Sequence, residues 1–230
     1  MKIIILAAGM GTRLGSSLPK TMTPLSNGKS ILRNQLDGLC RFFDIHDIIL
    51  VVGYKKEIIM EAHPELTYVY NDKFNCTNTA YSLLLGVRKV KNESLLWLNG
   101  DVFFAPSILR GLRDLERSFV FVNTGKVGRE EIKYTLAPDG TINALSKTVE
   151  KGLGEAVGIN YFEARDVPLL LEGLESCGDK DYFEKGIETA IGKGLKVRPY
   201  HIGSEFCVEI DFKEDLHLVE KYLSQAPAEE

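Results

Sequence analysis

The first hundred residues alternate short apolar runs with segments of helical periodicity, and this alternation restricts the chain more than any other feature. Lys2 to Leu6 is isoleucine-rich and is closed by Ala7-Ala8-Gly9. A run this short, bounded by small residues, reads as a strand buried on both faces. Ser30 caps a helical pattern that sets Ile31, Leu32, Leu36 and Leu39 on one face. Asp47 to Val52 reads as a second buried strand, Tyr54 to Ala62 as a helix and Leu66 to Tyr70 as a third strand. Thr79 to Lys89 follows as a helix and Leu95 to Leu98 as a fourth strand. Strands alternating with helices imply a parallel sheet with right-handed crossovers.

After residue 118 the pattern changes. Phe119 to Val122, Ile132 to Leu136, Ile142 to Leu145 and Ala156 to Phe162 read as strands, with a turn at Pro138-Asp139-Gly140. Helices are expected near Val167 to Glu175 and Tyr182 to Ile191. A strand pair is expected at Lys196 to Tyr200 and Cys207 to Ile210, then a last helix from Lys213 to Leu223. The expected organisation is one α/β domain over residues 1–224, with halves at 1–118 and 119–224 and a polar tail at 225–230.

Composition removes several function classes. The formal net charge is -4 and no basic block stands out, so no nucleic-acid partner is expected. The apolar run at the start is too short for a membrane span and lacks the longer core of a signal peptide. Cys40, Cys76, Cys177 and Cys207 form no CxxC pair and match no zinc spacing, so reduced thiols and a cytoplasmic location are expected.

The loop after the first strand lies at the carboxyl end of the sheet, where open parallel sheets bind ligands. Its glycines let successive backbone N–H groups approach phosphate oxygens. Leu14 excludes the dinucleotide fingerprint GxGxxG, and Thr23 excludes a Walker loop ending at Gly28-Lys29-Ser30. What remains is Gly9-x-Gly11-Thr12-Arg13-Leu14, with Lys20 seven positions beyond Arg13. A lone Gly-x-Gly is usually only a tight turn. Two cations beside it can both reach a triphosphate, arginine as a fork and lysine as a point charge.

Two aspartates follow strands. Asp101 comes directly after the LLWL run, in WLNGDVFF, and Asp211 stands in CVEIDFKEDL before the last helix. Carboxylates at strand ends suit a hard cation, since magnesium keeps several waters and needs only one or two such ligands. Asp101 read alone could be a surface turn residue. Asp211 could equally be a helix N-cap.

LAAGMGTRLG followed by LPKTMTPL resembles the signature of the sugar-nucleotide pyrophosphorylase superfamily, and later motifs fall in that family's order. The resemblance implies a Rossmann-like mixed, mainly parallel sheet flanked by helices. It places Leu6, Ala7, Ala8, Gly9, Gly11, Thr12 and Arg13 around a nucleoside triphosphate, with Gly100 nearby and Lys20 assisting at the α-phosphate. It makes Asp101 and Asp211 the ligands of Mg2+, and Arg13, Lys20, Asp101 and Asp211 the catalytic set.

The segment Asn75 to Leu83 departs from the family's usual P-x-G-T-A. It resembles the N-N-x-Y-S-L segment of the CTP-dependent branch, which includes phosphocholine, phosphonoalkyl and inositol-phosphate cytidylyltransferases. By that resemblance Asn78, Thr79 and Ser82 lie at the nucleotide, although Asn78 also suits a helix cap. Lys133 and Lys147 match the branch's acceptor-phosphate lysines, with a solvated charge as the alternative for each. Lys151 resembles a sugar-enzyme lysine locally but stands too near Gly158. Tyr182, Glu184, Glu209 and Phe206 offer carboxylates and aromatic faces to an acceptor bearing an ammonium group. Phe183 is expected in the core.

The expected reaction is attack by an acceptor phosphate or phosphonate on the α-phosphorus of CTP, with pyrophosphate leaving. It needs positioning and charge neutralisation rather than a nucleophilic side chain. The alternatives are a sugar-1-phosphate uridylyl- or thymidylyltransferase, a GT-A glycosyltransferase (although Asp101-Val102-Phe103 lacks the usual Asp-x-Asp) and a non-catalytic nucleotide sensor. A homo-oligomer is compatible with the family.

Overall fold

The computed structural model describes residues 1–11, 17–125 and 131–225. The expected early strands form as β1 (Lys2–Ala7), β2 (Ile48–Val52), β3 (Thr67–Tyr70) and β4 (Leu95–Asn99). They alternate with α1 (Ile31–Leu39), α2 (Lys56–Ala62) and α3 (Thr79–Val87). The later elements are β5 (Val102–Phe104), β6 (Ser118–Asn123), β7 (Lys133–Leu136), β8 (Ile142–Ser146) and β9 (Glu155–Phe162). They are followed by α4 (Val167–Glu175), α5 (Phe183–Gly192), β10 (Val197–His201), β11 (Cys207–Glu209) and α6 (Lys213–Gln225).

The main sheet runs β10-β6-β9-β4-β1-β2-β3, with β7 joining β9 and β8 joining β7. The pairs β3–β2, β2–β1, β1–β4 and β6–β10 are parallel, and β9 runs antiparallel between β4 and β6. Ile3, Ile4 and Ile5 are fully buried because each face of the sheet carries its own core. Ile4 and Leu6 pack with Leu83, Trp97 and Phe183 on one face, while Ile3 and Ile5 pack with Leu32, Leu36 and Leu98 on the other. Each such side chain contributes about 1.5–3 kcal/mol of burial.

Caps set the helix starts that matter for the site. Ser30 Oγ accepts from Arg33 N at 3.1 Å, and Asn78 Oδ1 accepts from Thr79 N at 2.8 Å. Helix α2 begins two residues later than its sequence pattern, because Lys55 adopts a left-handed φ of 46°.

The expected strand pair is corrected. Lys196 to Tyr200 and Cys207 to Ile210 do not pair with each other. Strand β10 adds in parallel to the free edge of β6, where Tyr200 stacks on Phe121 at 4.5 Å between ring centroids. Strand β11 pairs antiparallel with β5, a three-residue strand too short to stand out in the sequence. Among the described residues no helix is long and apolar enough to cross a membrane, and the four cysteines are free.

Helices α4 and α5 approach through glycines. A Cβ on Gly173 would lie 2.2 Å from the Gly186 carbonyl oxygen. Gly173→Ala therefore forces the helices apart, and the expected cost is about 1–3 kcal/mol of overpacking, measurable by urea unfolding.

Candidate active site

Strand β1 connects onward to β2 on one side and lies beside β4 on the other, so a crevice opens at their carboxyl ends. Leu6, Ala7, Asn99, Gly100 and Asp101 line a cavity of about 280 Å³ there, together with Gly9, Gly11 and Lys20. Gly11 has φ 58°, and a Cβ on it would lie 2.4 Å from Lys20 Cβ, so only glycine lets the loop lie against the lysine. Lys20 opens a short 3-10 turn, Lys20–Met22, directly after Pro19.

The Lys20 ammonium lies between two carboxylates. Its Nζ donates to Asp101 Oδ2 at 2.5 Å and to Asp211 Oδ1 at 2.6 Å. Burial draws the lysine pKa down, but Asp101 and Asp211 outweigh it and hold it above the ordinary lysine value. Ile210 N donates to Asp101 O at 3.0 Å, which joins the end of β11 to the Asp101 turn. At the start of α6, Asp215 accepts from the backbone N–H groups of Asp211 and Phe212 at 3.0 and 2.7 Å.

The pair fits a hard divalent cation. Asp101 Oδ1 is buried without a hydrogen-bond partner, a free anionic oxygen facing no competing donor. Among the described residues no group of three or more His, Cys, Asp or Glu side chains is arranged to hold a metal, so the fit rests on these two carboxylates. That is the donor set magnesium tolerates when waters and phosphate oxygens complete its shell.

A second cavity of about 230 Å³ shares Thr79, Asn99, Asp101, Glu209 and Asp211 with the first and continues to Lys147, Tyr182 and Glu184. Lys147 Nζ lies 4.9 Å from the centre of the Tyr182 ring. Burial raises the Glu184 carboxyl to about 7, against the opposing pull of a backbone hydrogen bond and of Lys147, and its Oε2 has no partner. Burial, then Asp101 and Asp211, push the Glu209 carboxyl well above the usual range. Asn99 Nδ2 donates to Glu209 Oε1 at 3.3 Å. Thr79 Oγ1 accepts from Phe183 N at 3.1 Å, which docks the start of α5 against α3.

Most sequence-expected residues converge here. Leu6, Ala7, Gly9, Gly11, Lys20 and Gly100 meet in the first cavity, Lys147, Tyr182 and Glu184 in the second, and Thr79, Asp101, Glu209 and Asp211 in both. Four others are not among the described lining residues. The Ala8 carbonyl accepts from Tyr54 N, and the Ser82 hydroxyl points inward to accept from Asn71 Nδ2 at 3.0 Å. The Asn78 amide caps α3 and donates to the Lys180 carbonyl at 3.2 Å. The stem of Lys133 lies against Gly152. Thr12 and Arg13 lie outside the described residues. Phe206 belongs to a different cluster, stacked on Tyr222 at 4.1 Å, and Phe183 is buried in the core as expected. Sequence reading missed Asn99, Thr21 and Phe212. Adjacency to Asp101, Lys20 and Asp211 was the signal available for them.

Residues 3–169 match the MobA-like NTP transferase domain. The chain is 34% identical over 121 residues to the CMP-5'-(3-aminopropyl)phosphonate synthase of Streptomyces rubellomurinus, covering 49% of this chain and 19% of that protein. It is 32% identical over 173 residues to the bifunctional protein GlmU of Methanococcus maripaludis, covering 71% of this chain and 39% of that protein. The chain thus spans only a minor part of the length of these relatives. Its fold superposes on the CTP:phosphocholine cytidylyltransferase of Streptococcus pneumoniae with a TM-score of 0.83 at 24% identity, over 96% of this chain and 98% of that one. With a glycine-rich loop, a lysine and two aspartates gathered at the switch point of its sheet, the chain belongs to the MobA-like NTP transferase family of nucleotidyltransferases.

Proposed function

We propose that the protein transfers CMP from CTP to a phosphate or phosphonate oxygen of a small acceptor. The acceptor oxygen forms a bond to the α-phosphorus, the bond from that phosphorus to the bridging β-oxygen breaks, and pyrophosphate leaves. The observation that carries this reading is Lys20 Nζ bonded to both Asp101 and Asp211 at the mouth of the parallel sheet. CTP is favoured by the Asn75 to Leu83 segment and by the CMP-linked product in the name of one relative.

Asp101 and Asp211 would hold Mg2+, which supplies neutralising charge to the triphosphate and the leaving pyrophosphate. Lys20 then serves the α-phosphate, where charge develops as the bond to the leaving group stretches. The backbone of Leu6 to Gly11, with Thr12 and Arg13, is assigned to the phosphates. Thr79 and nearby main-chain groups take the base, because the Asn78 amide is engaged at both ends. The acceptor lies in the second cavity, its phosphate toward Lys147 and the shared wall. No general base is needed, since phosphates and phosphonates are ionised near pH 7. The buried carboxyl of Glu184 suits an acceptor whose far end carries an ammonium group.

A second reading, a sugar-1-phosphate uridylyl- or thymidylyltransferase, is favoured by the similarity to GlmU. Pyrophosphate release from five nucleotides against aminoalkylphosphonates, phosphocholine, polyol phosphates and sugar 1-phosphates separates the two. CTP with an ammonium-bearing acceptor is the expected best pair, and UTP with a sugar 1-phosphate would overturn the proposal.

Lys20→Met is expected to lower turnover by roughly 10²-fold or more, the scale of losing one preorganised charge donor. In the nucleotide-free protein the same change should tighten Mn2+ binding, because the ammonium no longer competes for the two carboxylates. Unchanged turnover would remove Lys20 from the mechanism.

Glu184→Gln is expected to raise KM for an ammonium-bearing acceptor about 10-fold, the loss of one charge-assisted contact. KM for a neutral-ended acceptor should hold. Stability should respond as well. The folded chain keeps the Glu184 proton up to about 7, while the unfolded chain releases it near the ordinary carboxylate value of 4.5. Wild-type stability therefore falls as pH rises through that window, and the glutamine variant escapes the loss, on the order of 2–3 kcal/mol by pH 8. Urea unfolding at pH 5 and pH 8 reads the difference.

A further inference from the structure

Helix α1 buries one amide among its apolar residues. Gln35 is 1% exposed, and its core neighbours on the helix are Leu32, Leu36 and Leu39. Its Nε2 donates to the Asn99 carbonyl at 2.8 Å and to the Val102 carbonyl at 2.7 Å. Those carbonyls bracket Gly100 and Asp101, since Asn99 ends β4 and Val102 opens β5. The opposite amide orientation would set three acceptor oxygens against one another, so the partners themselves fix which atom is the nitrogen. Gln35 Oε1 is buried with no partner. A leucine or methionine could fill this space without a buried Oε1 but would take these donors from the Asn99 and Val102 carbonyls, so it is those two bonds, not packing, that account for the glutamine.

We propose that Gln35 is a positioning residue that holds the Asn99–Val102 turn, and through it Asp101, in the geometry the cation needs. The inference rests on the reading of Asp101 as a metal ligand given above. The turn is held from three directions. Gly100 N donates to Leu6 O at 2.9 Å from the β1 side. Ile210 N donates to Asp101 O from the β11 side. Gln35 closes the third side, from α1. Without its two donors, a buried turn must rotate a carbonyl toward some other partner, and Asp101 moves with it. A displacement of about 1 Å at a reacting site can cost roughly 10²-fold in rate.

The test uses the full chain in three forms, Gln35→Leu, Gln35→Glu and Asp101→Asn, with Mn2+ titrated against the nucleotide-free protein and turnover measured in parallel. Gln35→Leu is expected to weaken Mn2+ binding by about 5- to 20-fold and to lower turnover by about 10- to 100-fold, while Asp101→Asn abolishes measurable Mn2+ binding. Gln35→Glu regains a donor only when its carboxyl is protonated. Its Mn2+ affinity, taken as a ratio to wild type at the same pH, should therefore come closer to wild type at pH 6 than at pH 8. That arm answers if the leucine variant fails to fold. Wild-type Mn2+ affinity in Gln35→Leu beside a loss in Asp101→Asn, or a ratio constant with pH in Gln35→Glu, would overturn the positioning role and leave the reading of Asp101 intact. Wild-type Mn2+ affinity in Asp101→Asn would overturn the metal-ligand reading itself, and the inference with it.

Discussion

Two carboxylates that both stay ionised in a half-buried crevice need a cation between them, and Lys20 supplies that cation. It reaches across 81 residues of sequence to Asp101 and 191 to Asp211, so one ammonium ties the first loop to the end of β4 and to the start of α6. At a separation of 4 Å each pair gains about 4 kcal/mol at an effective dielectric of 20, and the desolvation of three charges offsets much of that. Replacing such a cluster with apolar groups is often neutral or stabilising. Its reason therefore lies in chemistry, where a cation-sized position between two carboxylates is useful in itself. Glu209 fits the same balance. Burial and its two aspartate neighbours drive it toward the neutral acid, which limits the negative charge that Lys20 must offset.

The two cavities share one wall and differ in what stands behind it. The first is built on β1 and β4, strands with cores on both faces, so its atoms are held by the same packing that holds the sheet. The second draws Lys147 from just after β8, Tyr182 and Glu184 from the start of α5, and Phe212 from just before α6. Thr79 bridges the two, lining both while its hydroxyl anchors the α5 N-terminus. On the proposed reading, the triphosphate would meet the rigid part of the fold and the acceptor the ends of peripheral elements.

Periodicity carried most of the fold in the sequence because the signals were long or bounded. The isoleucine run of β1 and the Ser30 and Asn78 caps each had a local physical cause that tertiary contacts did not override. Strand β5 was hidden, since three residues after a turn have no period, and its absence from the reading left β11 paired with the wrong partner. At the site, residues whose chemistry stands out by type were legible, namely Lys20, Asp101, Asp211 and Glu209. The placement of Ser82 was not legible, because a motif gives no direction for a hydroxyl, and its oxygen accepts from Asn71 on the interior side. Gln35 was invisible for the opposite reason. It sits within an apolar helical pattern, and only the fold shows that its amide faces two carbonyls 64 and 67 residues away.

The same division bears on how an acceptor preference could change within this fold. Altering Asp101 or the turn that carries it disturbs a strand end bonded to β1, β11 and α1 at once, so the cost spreads through the sheet. Altering Tyr182 touches a side chain that is 43% exposed at the first position before a helix, where little packing is lost. Glu184 stands between these cases. It is buried in the wall of the second cavity, so its replacement must keep both volume and polarity, and glutamine is the substitution that changes charge with the least change in shape. If the acceptor binds as proposed, specificity would be set where the fold tolerates substitution best, and the transfer chemistry where it tolerates it least.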